Sequence, residues 1–270
     1  MFIKRIQYHS IFLLSLNFFK IYNYIVLRLS FYYSIISKKA IVWGKPAFLS
    51  VEPTNICNLQ CPECPTGMGE NNKKKGVMEL EMARDIARKL PRSVISVNMF
   101  FQGEPFLHQS IIEMMSLFSK KTYLIISTNG HFIDEGVAIQ IIESGIQHII
   151  VSVDGYDQES YEKYRVKGDF DRVVSGVKAI IKAKETKKTI HPFVEIQCLI
   201  FNHTQYNMDE ISALGKELKV NKVTFKTAQF YNESNARELL PENKFSRYFF
   251  NEKGELEVKN GLKDYCWRMW

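Results

Sequence analysis

Between residues 48 and 227, short β-rich runs alternate with segments of helical length, and no other feature restricts the fold of this chain so much. Strands are expected at 48–52, 94–101, 123–127, 148–153, 193–201 and 222–227. Helices are expected between them, at 79–90, 110–120, 134–144, 170–188 and 208–218. Such strand–helix–strand units build parallel sheets through right-handed crossovers. Most of the strand runs are continuously apolar, as strands covered on both faces should be. No Gly-x-Gly-x-x-Gly follows the first strand, which speaks against a dinucleotide-binding sheet. The reading is an α/β barrel, open or closed, and one barrel of roughly 250 residues would use most of a 270-residue chain.

In such barrels the chemistry gathers at the C-terminal ends of the strands. The unusual residues here stand at those ends. Cys57, Cys61 and Cys64 follow the first strand, and Gln102-Gly103-Glu104-Pro105 follows the second. Ser127-Thr128-Asn129-Gly130 closes the third, and Ser152-Val153-Asp154-Gly155 closes the fourth. A single active site on one rim is the simplest account.

The cysteines have the spacing C-x₃-C-x₂-C, and only Cys198 and Cys266 lie elsewhere. An odd count with one tight group argues for metal chemistry in a reducing compartment over a secreted disulfide framework. Three thiolates on one loop can each hold one iron of a cubane that normally takes four, leaving an iron open to substrate or cofactor. Cys198 sits inside an apolar strand, where a buried structural thiol is the ordinary expectation. A zinc site usually needs a second C-x₂-C pair, and none follows.

The stretch Val51-Glu52-Pro53-Thr54-Asn55-Ile56-Cys57-Asn58-Leu59-Gln60-Cys61-Pro62-Glu63-Cys64 resembles the cluster loop of the radical S-adenosylmethionine (radical SAM) superfamily, and further motifs match in order over about residues 48–230. The resemblance implies a partial (β/α)₆ TIM-like barrel with a [4Fe–4S] cluster on Cys57, Cys61 and Cys64. It implies that SAM chelates the open iron and is cleaved reductively to methionine and a 5′-deoxyadenosyl radical, which abstracts hydrogen from a substrate. A reductant such as a flavodoxin or ferredoxin is implied as partner, in a cytoplasmic setting. The Gln102-Gly103-Glu104-Pro105 segment resembles the Gly-Gly-Glu-Pro motif that binds the SAM amino group, with Gly103 and Glu104 carried over and Gln102 departing from the pattern. Ser127, Thr128 and Asn129 resemble the polar end of strand three that borders SAM. Ser152 and Asp154 match a segment expected to meet the ribose, and Arg165 stands where related enzymes place an arginine against the SAM carboxylate. Adenine contacts are expected near 195–199 and 224–226, without individual residues assigned.

The ends of the chain read differently. Residues 1–45 form an apolar, aromatic arm, interrupted by Lys20 and Arg28, each of which would cost about 2.5–3.5 kcal/mol at a bilayer centre. At 100° per residue, Ser10, Asn17, Lys20 and Arg28 fall within roughly 80° of one another, so the arm reads as one or two amphipathic helices. Packing on the protein body is expected, with membrane-surface contact as the sharper alternative. No small-residue cleavage site follows, against a signal peptide. Residues 46–230 are the expected core. Residues 231–270 end in Asp264-Tyr265-Cys266-Trp267-Arg268-Met269-Trp270, which resembles the first cysteine segment of a SPASM extension, here expected to be truncated. That branch modifies peptides, so a peptide is one candidate substrate. The net charge of +7 suits an anionic partner, though solvated lysines explain most such runs, and no basic–aromatic pattern points to nucleic acid. The alternative function is a non-catalytic or degenerate iron–sulfur (or zinc) binding module.

Overall fold

A computed structural model describes residues 12–13, 15–69 and 74–259. Six strands form one parallel sheet in sequence order: β1 (Phe48–Ser50), β2 (Ser96–Asn98), β3 (Tyr123–Thr128), β4 (His148–Ser152), β5 (Phe193–Ile200) and β6 (Lys222–Thr227). Each strand pairs only with its sequence neighbours, so β1 and β6 are the two edges of an open, partial TIM-like barrel. The helices between strands are α2 (Leu80–Lys89), α3 (Ile111–Ser119), α4 (Glu135–Glu143), the short α5 (Gln158–Glu162), α6 (Phe170–Thr186) and α7 (Met208–Glu217). They follow α1 (Phe18–Ser37) and precede α8 (Glu233–Leu239) and an antiparallel hairpin, Tyr248–Phe250 with Leu256–Val258.

Caps set several helix starts. Asp134 accepts from Val137 N at 2.8 Å and Asp169 from Arg172 N at 2.9 Å, so α4 and α6 begin one residue later. The apolar run at 94–101 yields only a three-residue strand, Ser96–Asn98, and Phe101 at its far end is exposed.

Strand alternation divides the sheet into two faces. Leu124, Ile126, Ile149, Val151, Val194 and Ile196 are fully buried and share one core with the helices, where Met114, Phe118, Ile141 and Ile180 cover them. The opposite parity turns to the concave interior and is polar at intervals: Ser127, His148, Ser152, Glu195. This second face is why the strands are not uniformly apolar. A helix-facing residue has dry partners, whereas the interior of a partial barrel meets other strand side chains and the mouth.

Among the described residues of the arm, the long helix α1 lies at the N-terminal end of the sheet. Leu27 packs with Ala47 and Ile95 where β1 and β2 begin, and Phe12 lies edge-on to Tyr123 at 5.5 Å. The side that α1 turns inward is largely the polar one: Lys20, Asn23, Ser30 and Ser34 are buried with Leu27 and Phe31. Lys20 Nζ donates to Ser15 O at 2.7 Å, and burial lowers its pKa. Asn23 donates to Lys45 O and accepts from Lys45 N, pinning the return segment to the helix. Asn17 caps the helix, Arg28 is on another face, and Ser10 lies outside the described residues.

In the barrel interior, Glu195 accepts from His148 Nε2 at 3.0 Å and sits 3.7 Å from Lys222 Nζ. Burial would raise the Glu195 pKa, but the His148 hydrogen bond and the Lys222 charge outweigh it and hold the carboxyl at about 2. A carboxylate depressed in the folded state stabilises above its ordinary value of 4.5 and loses that contribution as pH falls toward 2. Glu195→Gln should therefore be less stable than the parent at neutral pH, by about 1–3 kcal/mol. Denaturant titrations from pH 7 to pH 2 should show this gap closing below pH 4.5; a constant gap refutes the pairing.

Candidate active site

The loop after β1 carries the three cysteines and is held from both sides. On one side, Thr54 pairs with Val77 across an isolated bridge, and its hydroxyl donates to Gly76 O at 2.9 Å. On the other, Gln60 N donates to Val166 O, and Asn235 Nδ2 donates to Pro62 O. Glu63 is buried and accepts from Tyr231 N at 2.6 Å. Residues 231–240 thus brace the cysteine loop, packing Ala236 and Leu239 with Leu59, Cys61 and Phe201.

The Gln102-Gly103-Glu104-Pro105 turn lies directly against this loop. Glu104 N donates to Ile56 O at 2.8 Å. Gly103 has φ +74°, and a Cβ there would come within 2.5 Å of Thr54 O, so both its conformation and its space demand glycine. At Gln102, where the resembled motif has its first glycine, the side chain is used: its Oε1 accepts from Thr66 Oγ1 at 3.0 Å and lies 3.9 Å from Cys64 Sγ.

A cavity of about 170 Å³ opens at the C-terminal ends of β1 to β4. Cys57, Cys61, Cys64, Gly103 and Glu104 line it together with Ser127, Thr128, Asn129, Ser152 and Arg165. All three cysteines are free thiols. Burial pushes the Cys57 thiol up, and pushes Cys61 up to about 11 against the pull of the Arg165 guanidinium. A wider groove of about 730 Å³ lies between α4 and α6, but it holds no thiol and sits on the outer helix layer, so size does not mark the chemistry here.

Glu104 is almost fully buried. Its Oε1 accepts from Thr128 Oγ1 at 2.7 Å and Phe106 N at 3.1 Å, and its Oε2 accepts from Asn129 N at 2.7 Å. Burial raises its pKa while these three donors oppose the shift. A carboxylate offers about four acceptor positions, so Oε2 has room for one further donor from the cavity. Thr128 positions Glu104, and Asn129 Nδ2 reaches Asn58 Oδ1 at 2.8 Å.

Asp154 is the sequence-expected residue that does not line the cavity. It is completely buried, accepting from Arg165 Nε at 2.5 Å and from Leu199 N at 2.6 Å. Burial disfavours the guanidinium charge, but Asp154 overcomes this and raises the Arg165 pKa above its ordinary value. Arg165 is left with a cavity-facing end, Nη1 lying 3.8 Å from Cys61 Sγ. Four wall residues were not singled out from the sequence: Leu59, Gly67, Phe100 and Phe101. Two adjacent aromatics ending an expected strand just before the Gln102 turn were the available signal for Phe100 and Phe101. The 195–199 and 224–226 segments do not reach this cavity. Cys266 and the 264–270 motif lie outside the described residues.

Residues 51–195, just over half the chain, match the profile of the Radical SAM superfamily. The chain belongs to that superfamily. Enzymes of that superfamily use a [4Fe–4S] cluster and SAM as cofactors. Among relatives, the probable GTP 3′,8-cyclase of Methanocaldococcus jannaschii is 29% identical over 140 residues, covering 51% of this chain and 46% of that protein. The mycofactocin maturase MftC of Mycolicibacterium smegmatis is 25% identical over 171 residues, covering 63% and 42%. These matches span less than half of each relative's length. In three dimensions, SuiB of Streptococcus suis bound to SAM superposes with a TM-score of 0.58 at 17% identity, over 76% of this chain and 48% of SuiB.

The residues present fit the cluster. A cubane takes one thiolate per iron, and three free thiols share this cavity wall. Among the described residues no three His, Cys, Asp or Glu side chains converge on a single metal ion, and a cubane does not require that, since each thiolate holds a different iron.

Removing Asp154 would leave a buried guanidinium without its counter-charge. Asp154→Ala should cost about 3–5 kcal/mol in urea unfolding of the iron-free protein. A loss below about 0.5 kcal/mol, the range of surface substitutions, would show that the pair does not anchor Arg165.

Proposed function

We propose that this chain holds its cluster through Cys57, Cys61 and Cys64 and binds SAM between Glu104 and Arg165, to modify a peptide substrate. The observation that carries the reading is the meeting of three free thiols, a carboxylate with one open acceptor position and an anchored guanidinium on one cavity wall. Held by Cys57, Cys61 and Cys64, the cluster would supply the one-electron reduction that cleaves SAM to methionine and a radical able to abstract hydrogen. The protein's own part is to bind, orient and exclude water. Glu104 Oε2 accepts from the SAM amino group, and Arg165 presents cation to its carboxylate, a charge-assisted pairing. Ser127 and Ser152, on the interior parity of β3 and β4, offer hydroxyls toward the ribose. Asn129 ties the cysteine loop to the end of β3, and Asp154 acts through Arg165.

The peptide reading rests on the superposed structures: SuiB bound to precursor peptide SuiA, and anSMEcpe with AdoMet and a Cp18Cys peptide. It also rests on the 264–270 segment, which resembles the start of a SPASM extension. In this reading residues 46–230 are the catalytic core, 1–45 the arm, and 231–270 a segment that resembles a SPASM extension. A flavodoxin or ferredoxin supplies the electron.

Anaerobic reconstitution should give close to one [4Fe–4S] cluster per chain, lost in the Cys57→Ala, Cys61→Ala and Cys64→Ala variants and kept in Cys198→Ala. Glu104→Gln and Arg165→Lys should keep iron yet weaken SAM binding about ten-fold or more, the equivalent of about 1.5–3 kcal/mol. Deoxyadenosine release from SAM with dithionite separates an enzyme from a degenerate binding module. A full cluster in the triple cysteine variant, or unchanged SAM affinity in both charge variants, would overturn the assignment.

A further inference from the structure

The outward face of α1 is apolar over an unusual breadth. Phe18, Tyr22, Ile25, Leu29, Tyr32 and Ile36 follow one another at spacings of three and four, and each is at least half exposed. Phe19, Ile21, Tyr24, Tyr33 and Ile35 flank them and are exposed as well. At 100° per residue this apolar arc spans roughly 220°, while the inward arc spans roughly 100° and carries Lys20, Asn23, Ser30 and Ser34. The helix is therefore amphipathic with its polar stripe against the protein.

Two occupants compete for such a face: a second copy of the helix and a bilayer surface. A coiled-coil seam is narrow and is bordered by charged residues. Here the borders are apolar too, and Arg28 is the one charge in the outward arc, its guanidinium folded onto Phe31 and Tyr32. Charge decides the matter. The first carboxylate of the sequence is Glu52, whereas Lys4, Arg5, Lys20, Arg28, Lys38, Lys39 and Lys45 precede it. Lys38 and Lys39 are exposed at the end of α1, and Lys45 and Arg92 share a groove with Phe19, Tyr22 and Trp43. Aromatic rings beside lysines are the side chains that sit at a lipid–water boundary. No helix among the described residues is long and apolar enough to cross a membrane, so the fit is to the surface.

We propose that α1 docks this enzyme on an anionic lipid bilayer, lying in the interface with its 220° apolar arc down and Lys38, Lys39, Lys45 and Arg92 on the headgroups. The helix covers the N-terminal ends of the strands through Leu27 on Ala47 and Ile95, and Phe12, ahead of the helix, adds its ring on Tyr123. The cysteine cavity is at the C-terminal ends. Docking therefore points the active-site mouth away from the lipid, and substrate arrives from water.

The test is co-sedimentation of the full chain with phosphatidylcholine vesicles and with mixed phosphatidylcholine–phosphatidylglycerol vesicles. Binding should need phosphatidylglycerol and weaken as salt is raised. Lys38→Glu with Lys39→Glu should reduce it by about ten-fold or more, and Ile25→Gln with Leu29→Gln should abolish it. Iron content and deoxyadenosine release should stay at the parent level in all four substitutions, which separates this proposal from the active-site reading. Equal binding to neutral vesicles, binding unaffected by either pair, or a dimer dispersed by Ile25→Gln with Leu29→Gln in a chain that ignores both vesicles, would each overturn it.

Discussion

The ion pair between Asp154 and Arg165 ties together the end of β4, β5 and the segment that follows α5. Asp154 sits just past the end of β4, and its two oxygens reach in different directions, one to Leu199 N in β5 and one to Arg165 Nε after α5. Both groups are desolvated, so each needs the other, and the loop from α5 to α6 cannot move without uncovering a charge. That loop also receives the cysteine segment, through Gln60 N on Val166 O. The same pair that closes the end of β4 thereby sets the position of Arg165 over Cys61.

A second constraint is steric. The cysteine loop and the Gln102–Pro105 turn approach so closely that only a glycine with positive φ fits at 103, and a Cβ at Gly67 would meet the Cys61 backbone at 2.5 Å. Packing this tight leaves the loop little freedom before any cofactor binds. Glu104 is held in the same way, by three donors from two elements. The cavity is preorganised, which would lower the entropic cost of placing a ligand there.

The two ends of the barrel have opposite characters. The C-terminal rim gathers thiols, hydroxyls, one carboxylate and one guanidinium around a small cavity. The N-terminal end is closed by a helix whose hydrogen-bonding groups point inward and whose apolar groups point out. The inward polarity has a local cause: Asn23 and Ser34 bond the backbone of the return segment at Lys45 and Ile41. Placing amides and hydroxyls inside leaves the apolar residues for the outside.

Much of this was legible in the residues themselves. Short β-rich runs and the segments of helical length between them located the six strands and five of the helices, and cysteine spacing with the Gly103-Glu104, Ser127-Thr128-Asn129 and Ser152 segments marked the rim, because local signals of this kind depend on neighbours a few positions away. The short α5, the α8 brace on Pro62, and the burial of the polar stripe of α1 were not legible. The α8 brace depends on a partner far along the chain, Asn235 to Pro62 across 173 residues. Asp154 shows the division best. Sequence placed a carboxylate at the end of β4, where a ribose contact was expected. Tertiary structure turned it into the buried anchor of Arg165, because a guanidinium brought in from eleven residues away needs a counter-charge more than an open rim needs a further hydroxyl acceptor.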